Sequence, residues 1–227
     1  MHVIYLHGFA SSPQSAKARV LGERLAARGL TLHCPDLNQP DFRGLTISRM
    51  IDQVEAALRA LPPAPVLLIG SSLGGLVAVH LAARHPSGST RPVERLILLA
   101  PALEFYGDSL RRLGPEGIAR WRATGRLEVF HHSCGEPREV GFALYEDAAQ
   151  YDAFAARIDV PVLIFQGRFD ESVDPGMVER YARARPNVTL RLVDDDHQLG
   201  GSVGAIWCAV AETLGITART DNPASGP

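Results

Sequence analysis

Lysine is almost absent from this chain: of its 23 basic residues, Lys17 is the one lysine and the rest are arginine. Together with abundant alanine, this reads as compositional bias without functional content. Neither sign of charge is in excess, since 25 acidic residues against 23 basic ones leave a formal net charge of −2. Such a balance lacks the field that nucleic acid or an anionic membrane surface calls for, so the expected partner is a small molecule. Cysteine is scarce. Cys34, Cys134 and Cys208 make three, an odd number without metal-ligand spacing, which argues against a disulfide framework and against a zinc site. Plain thiols are expected. No apolar run reaches the roughly 20 residues that cross a bilayer. Met1 to Leu6 enters a strand pattern directly, without the charged, apolar and small-residue regions of a secretory leader. These absences lead to the expectation of a soluble, cytoplasmic protein with no membrane span.

What is present is an alternation of strand and helix patterns. His2–Leu6 is a short strand with both faces apolar, and Ser12-Pro13 opens a helix over about 14–28 that Gly29 stops. Residues 30–35 supply a second strand. Residues 45–61 carry Ile47, Met50, Ile51, Val54, Leu58 and Leu61 at helical spacing before Pro62-Pro63. A strand at 65–69, a helix to about His85 and a strand at 93–99 follow. The rhythm breaks over about 102–159, where a polar helix at 108–124 precedes a hairpin of 127–131 and 139–144. It resumes with a strand at 160–165, a helix near 176–184, a strand at 188–193 and a helix at about 202–214. This pattern predicts an α/β fold, a mostly parallel sheet with helices on both faces. The expected organisation is one domain over 1–217 with a small cap insertion, and a disordered tail at 218–227 too polar to offset chain entropy.

Gly70-Ser71-Ser72-Leu73-Gly74 joins the buried strand to the helix after it. A G-x-S-x-G pentapeptide in that setting forms a sharp, strained turn that exposes the central hydroxyl, which here belongs to Ser72, with Ser71 still on the strand. A serine needs a base to take its proton, and the base needs an acid to fix its tautomer. The strand ending at Phe165 runs into Asp170, and the last strand runs into Asp194-Asp195-Asp196-His197. The order Ser72, Asp170, His197, each just past the carboxyl end of a different strand, suits a nucleophile, its acid and its base. Glu171 and Asp174 are the alternatives for the acid, and Asp196 is a second candidate for orienting the histidine. Oxyanion donors are expected from the backbone amides of Leu73, directly after the nucleophile, and Phe9, in the His7-Gly8-Phe9 turn after the first strand. His7 itself is read as a strand-end histidine bonded to the backbone. His131-His132 reads as a solvated hairpin tip, and no metal is expected.

On these residues the chain resembles the α/β-hydrolase superfamily over nearly its whole length. More narrowly, Tyr5-Leu6-His7-Gly8-Phe9-Ala10-Ser11-Ser12-Pro13-Gln14-Ser15-Ala16-Lys17-Ala18, with Gly70-Ser71-Ser72-Leu73-Gly74-Gly75, is similar to the small bacterial YqiA/YcfP-type esterases. The likeness implies hydrolysis of carboxylic esters or thioesters of short or activated acyl groups, without a cofactor. It is strongest in the first half of the chain, and the insertion has no comparable match.

The expected activity is that of a serine carboxylesterase acting on short- to medium-chain acyl esters through an acyl-enzyme. An acyl-CoA thioesterase uses the same machinery, and a non-catalytic binding protein on the same fold is the third reading. Eight of the fifteen aromatic residues fall in the insertion and its edges. They form either a lid over the acyl pocket or the insertion's own core. Phe9, Phe105, Tyr106 and Phe169 are the expected substrate-binding aromatics.

Overall fold

The computed structural model describes residues 1–217, except for the side chains of 108, 109 and 111; the expected disordered tail at 218–227 lies outside the described residues. Six strands form one parallel sheet: β1 (His2–Leu6), β2 (Leu32–His33), β3 (Val66–Ser71), β4 (Val93–Leu99), β7 (Val162–Gly167) and β8 (Val188–Val193), in the order β2-β1-β3-β4-β7-β8. Parallel strands are linked by crossovers that place helices on both faces, which is why the central strands β1 and β3 read as nearly continuous apolar runs, while β8 at the sheet edge alternates.

Period-two geometry divides each strand between two cores. Ile4, Leu6, Leu68, Leu96, Leu98 and Ile164 face one side, where α2 (Ile47–Ala60), α3 (Leu73–Arg84) and α6 (Pro175–Arg183) pack. Val3, Tyr5, Leu67, Ile69, Ile97, Leu99 and Phe165 face the other, covered by α1 (Ala16–Ala26) and α7 (Val203–Thr213). In α2 the spacing of Ile47, Met50, Ile51, Val54 and Leu58 makes one apolar stripe, all of it buried, and the Thr46 side chain caps the helix by accepting from the Arg49 amide at 3.1 Å. Among the described residues no helix is long and apolar enough to cross a membrane.

The insertion departs from its sequence reading in two ways. The predicted helix at 108–124 is three pieces: a π-helical turn (Phe105–Ser109), a 3₁₀ turn (Arg111–Leu113) and α4 (Gly114–Thr124). Pro115 accounts for the restart, since it is favoured at a first helical turn and disfavours helix in the residue before it. The hairpin pairs β5 (Arg126–His131) with β6 (Glu136–Gly141), and the segment expected to continue the second strand instead becomes α5 (Ala143–Ala148). The Gly141 amide donates to the Arg43 carbonyl at 2.8 Å, so at this point the chain leaves the hairpin for the body of the protein.

Trp121, Val140, Phe142 and Leu144 then join the core shared with α2 and α3. The Trp121 indole donates to the Val140 carbonyl at 3.1 Å, which ties α4 to the hairpin. A polar latch adds to this: Asp147 on α5 accepts from the Ser48 amide at 2.8 Å and from the Ser48 hydroxyl, and that hydroxyl also meets the Tyr151 hydroxyl at 2.6 Å.

Candidate active site

The chain turns from β3 into α3 at Ser72, whose φ of 52° and ψ of −120° lie outside the regions open to most side chains. Such strain persists only where packing imposes it. The packing is visible at Gly74: a β-carbon there would fall 2.2 Å from the Leu6 carbonyl oxygen, so α3 and β1 approach as closely as backbones allow. The turn lies beside the loop that follows β1. The strand order reverses between β1 and β3, and parallel sheets bind ligands in that crevice.

Ser72, His197 and Asp170 come together from three loops. His197 Nε2 lies 3.2 Å from Ser72 Oγ, and its Nδ1 lies 2.9 Å from Asp170 Oδ2. A carboxylate accepts, so the proton sits on Nδ1, and Nε2 is left to accept from the serine hydroxyl. The Asp170 side chain is fully buried and that of His197 is largely so. Burial alone raises a carboxyl pKa. Here the bonds from His197, the Val173 amide and Gln166 outweigh burial and hold Asp170 below the ordinary aspartate value. Asp170 Oδ1 accepts from the Ser172 and Val173 amides at 2.9 and 2.8 Å, and Gln166 Nε2 donates to Oδ2 at 2.8 Å. Asp174, an alternative acid, caps α6 through the Gly176 and Met177 amides instead. Asp196 accepts from the Gln198 amide at 2.8 Å, which shapes the histidine loop without touching the ring.

Neither the Phe9 nor the Leu73 amide is taken by another protein group among the described residues. Leu73 opens α3, where the first amides have no partner within the helix. His7 bonds to backbone on both sides: its Nδ1–H donates to the Gly8 carbonyl at 2.9 Å, and its Nε2 accepts from the Leu37 amide at 3.0 Å. Burial draws this imidazole below its ordinary pKa, which keeps it in the neutral form that this pair of bonds requires.

A cavity of about 680 Å³ opens over Ser72 and His197. Phe9, Ala102, Phe105 and Val173 form an apolar wall, with the Phe9 and Phe105 rings 6.0 Å apart. Tyr106 and Phe169, the other two expected substrate-binding aromatics, do not line it. Tyr106 is 38 % exposed and its ring rests on Tyr145, because the π-helical turn points Phe105 inward and its neighbour out. Phe169 is 66 % exposed, on the outer side of the turn that brings Asp170 in.

The histidine pair at the hairpin tip also departs from expectation. His131 is buried edge-on against Phe42, and His132 lines the cavity, its amide donating to the Ala10 carbonyl at 2.9 Å. Among the described residues no group of three or more His, Cys, Asp or Glu side chains is placed to hold a metal, and the three cysteines are free.

Two residues of the site were not anticipated. Gln166 is a fully buried polar side chain at the end of an apolar strand, and that polarity was its signal. Lys17, 9 % exposed, lines the cavity and donates to the Gln198 carbonyl at 2.6 Å. Its isolation as the one lysine of an arginine-rich chain is the signal that the sequence carries for it. Burial draws its ammonium below the ordinary lysine value, against the attraction of Asp196, Asp195 and Asp170.

A six-stranded parallel sheet sandwiched by helices, with a serine turn after β3, is an α/β-hydrolase fold. The mouse α/β hydrolase domain-containing protein 10 shares it, with a TM-score of 0.77 at 20 % identity over 94 % of this chain and 89 % of that one. A protein of Agrobacterium vitis S4 assigned as a hydrolase superposes with a TM-score of 0.84 at 28 % identity, covering 94 % of this chain and 87 % of its own. The chain belongs to the family described as Uncharacterised protein family (UPF0227), the YqiA-like hydrolases, whose model matches residues 2–211. Among curated relatives, a pimeloyl-[acyl-carrier protein] methyl ester esterase of Chromobacterium violaceum is 28 % identical over 223 residues, 83 % of each chain.

Proposed function

We propose that this protein is a serine carboxylesterase that hydrolyses short- to medium-chain acyl esters through an acyl-enzyme. The observation that carries the reading is the continuous hydrogen-bonded chain from Ser72 Oγ through His197 to the buried Asp170 carboxylate. The esterase named among its relatives supports the same class of bond.

In this reading the Ser72 hydroxyl passes its proton to His197 Nε2 as Oγ bonds to the substrate carbonyl carbon. Asp170 holds the ring and stabilises the imidazolium. The carbonyl oxygen, now carrying the negative charge, takes the Phe9 and Leu73 amides. The tetrahedral intermediate collapses, the C–O bond to the alcohol breaks, and His197 returns the proton to the departing oxygen. Water then attacks the acyl-serine, giving its proton to His197. Collapse of this second intermediate frees the carboxylic acid and returns the proton to Ser72. No cofactor takes part.

The test is Ser72→Ala assayed on p-nitrophenyl acetate and butyrate. Turnover should fall by at least about 10⁴-fold, as losing the nucleophile of such a triad does. The melting temperature should change little. Covalent labelling by a fluorophosphonate should occur in the wild type and vanish in the variant. Retained turnover or labelling in the variant overturns the assignment.

A further inference from the structure

The cavity over Ser72 has two differently built arms. One is the apolar wall of Phe9, Ala102, Phe105 and Val173. The other runs along one face of α1, where Lys17, Val20 and Arg24 recur at helical spacing, and Gly200 and Val203, just before and at the start of α7, line the cavity too. Tyr5, Ser15 and Ser71 also line the cavity. Among the described residues this cavity is lined by two basic side chains other than histidine, Lys17 and Arg24, and by no aspartate or glutamate. That asymmetry stands out in a chain of 25 acidic and 23 basic residues.

Lys17 is not consumed by its structural bond. An ammonium has three donors, and one of them goes to the Gln198 carbonyl. The carboxylates that act on it, Asp170, Asp195 and Asp196, do not line the cavity. The Arg24 guanidinium stands 5.9 Å from the Trp207 ring centre, a contact that leaves its N–H donors free for an anion. A concave surface carrying one sign of charge between low-dielectric walls concentrates ligands of the opposite sign.

From this wall we infer that the substrate carries an anionic group, a carboxylate or a phosphate, at a distance from the scissile ester, and that Lys17 and Arg24 bind it along α1. The inference rests on the serine esterase reading and adds the charge of the substrate to it. Position along the helix adds a length rule. Arg24 lies seven residues beyond Lys17, about 10 Å at the helical rise. Short chains bring their anion to Lys17 and longer ones to Arg24.

The experiment compares monomethyl esters of linear dicarboxylic acids, from succinate to sebacate, with the neutral dimethyl esters of the same acids. A second pair places the anion on the alcohol side: 2-acetoxyethyl phosphate against its neutral dimethyl phosphate triester. At low salt the charged member of at least one pair should have at least about tenfold higher kcat/KM, expressed in KM, as expected for a desolvated charge contact. The preference should shrink at 0.5 M sodium chloride. Lys17→Met should reduce it for short diacids and Arg24→Gln for long ones. The readout is the ratio of charged to neutral substrate within each variant, because a purely structural role of Lys17 under the His197 loop lowers both rates together and leaves the ratio unchanged.

Calorimetric binding of monomethyl and dimethyl adipate to Ser72→Ala needs no turnover, and the half-ester should bind more tightly. Equal rates in both pairs with equal binding would overturn the anionic arm while leaving the esterase intact. Failure of the wild type to hydrolyse any ester would instead overturn the esterase reading, and the binding comparison would still decide the arm.

Discussion

Gly8 abuts Ser72: a β-carbon built on the glycine would stand 2.9 Å from the serine Cβ and 3.2 Å from the Ser71 carbonyl oxygen. The loop after β1 and the turn after β3 are thus fitted to each other at a point where no side chain can be inserted. Gly8→Ala should displace the loop that carries the Phe9 amide, the proposed oxyanion donor. Loss of one oxyanion donor lowers kcat by on the order of 10²–10³-fold, and a loss of that size is expected here. Steady-state kinetics with a parallel thermal melt would check it, and an alanine variant with full kcat would show that Phe9 is not a donor.

Gln166 shares Asp170 Oδ2 with His197, donating to it at 2.8 Å. Gln166→Leu keeps the volume and removes the donor. A hydrogen bond to a charged group contributes about 1.5–3 kcal/mol, so kcat should fall by roughly tenfold or more with KM little changed. Asp170 is held below the ordinary aspartate value, so its share of stability is present above that value, about 3.9. That share is lost as pH falls through the lower folded value. In Gln166→Leu the acid-unfolding midpoint should therefore move to higher pH. An unchanged midpoint together with unchanged kcat would mean that the remaining donors hold Asp170 unaided.

A separate window opens nearer neutrality. His7, His33, His80 and His131 are all drawn below the ordinary histidine value, burial being the largest cause in each. As pH falls below about 6.5, the unfolded chain takes up protons that the folded one refuses, and stability declines until the folded values are reached. Above that pH these residues add no slope. Urea midpoints measured from pH 8 to 5 should be level at first and then fall, and a rise on acidification would contradict the neutral, backbone-bonded His7.

The insertion is fastened to the body through Asp147, which accepts from both the amide and the hydroxyl of Ser48 near the start of α2. Asp147→Ala removes a cap-like acceptor from that helix and should cost about 1–2 kcal/mol. Asp147→Asn keeps an oxygen acceptor and should cost less. Equilibrium urea unfolding of the two variants beside the wild type decides this, and equal stability of all three would mean that the latch contributes nothing.

The strands and helices of the sheet were legible because each is a local pattern. Apolar runs bounded by glycine and proline mark buried parallel strands, and the stripe of α2 is periodic within one segment. Ser72 and the order Ser72, Asp170, His197 were legible for a related reason, since a strand-to-helix turn and two strand ends can be located along the chain. The insertion was harder to read. Nothing in Phe142-Ala143-Leu144 announces that Gly141 will bond to Arg43, nearly a hundred residues earlier, and end the strand.

By itself, then, the sequence determined the sheet, the serine turn and the residues able to act as base and acid, because backbone preferences and hydrophobic periodicity act over a few residues. Only the tertiary structure decided which side chains share a cavity. It turned Phe105 in and Tyr106 out, buried His131, and set the chain's one lysine beneath the histidine loop on the wall of the cleft. Those outcomes depend on loops from distant parts of the chain packing together, and an ammonium nine-tenths buried beside Gln198 takes its meaning from neighbours that no local pattern contains.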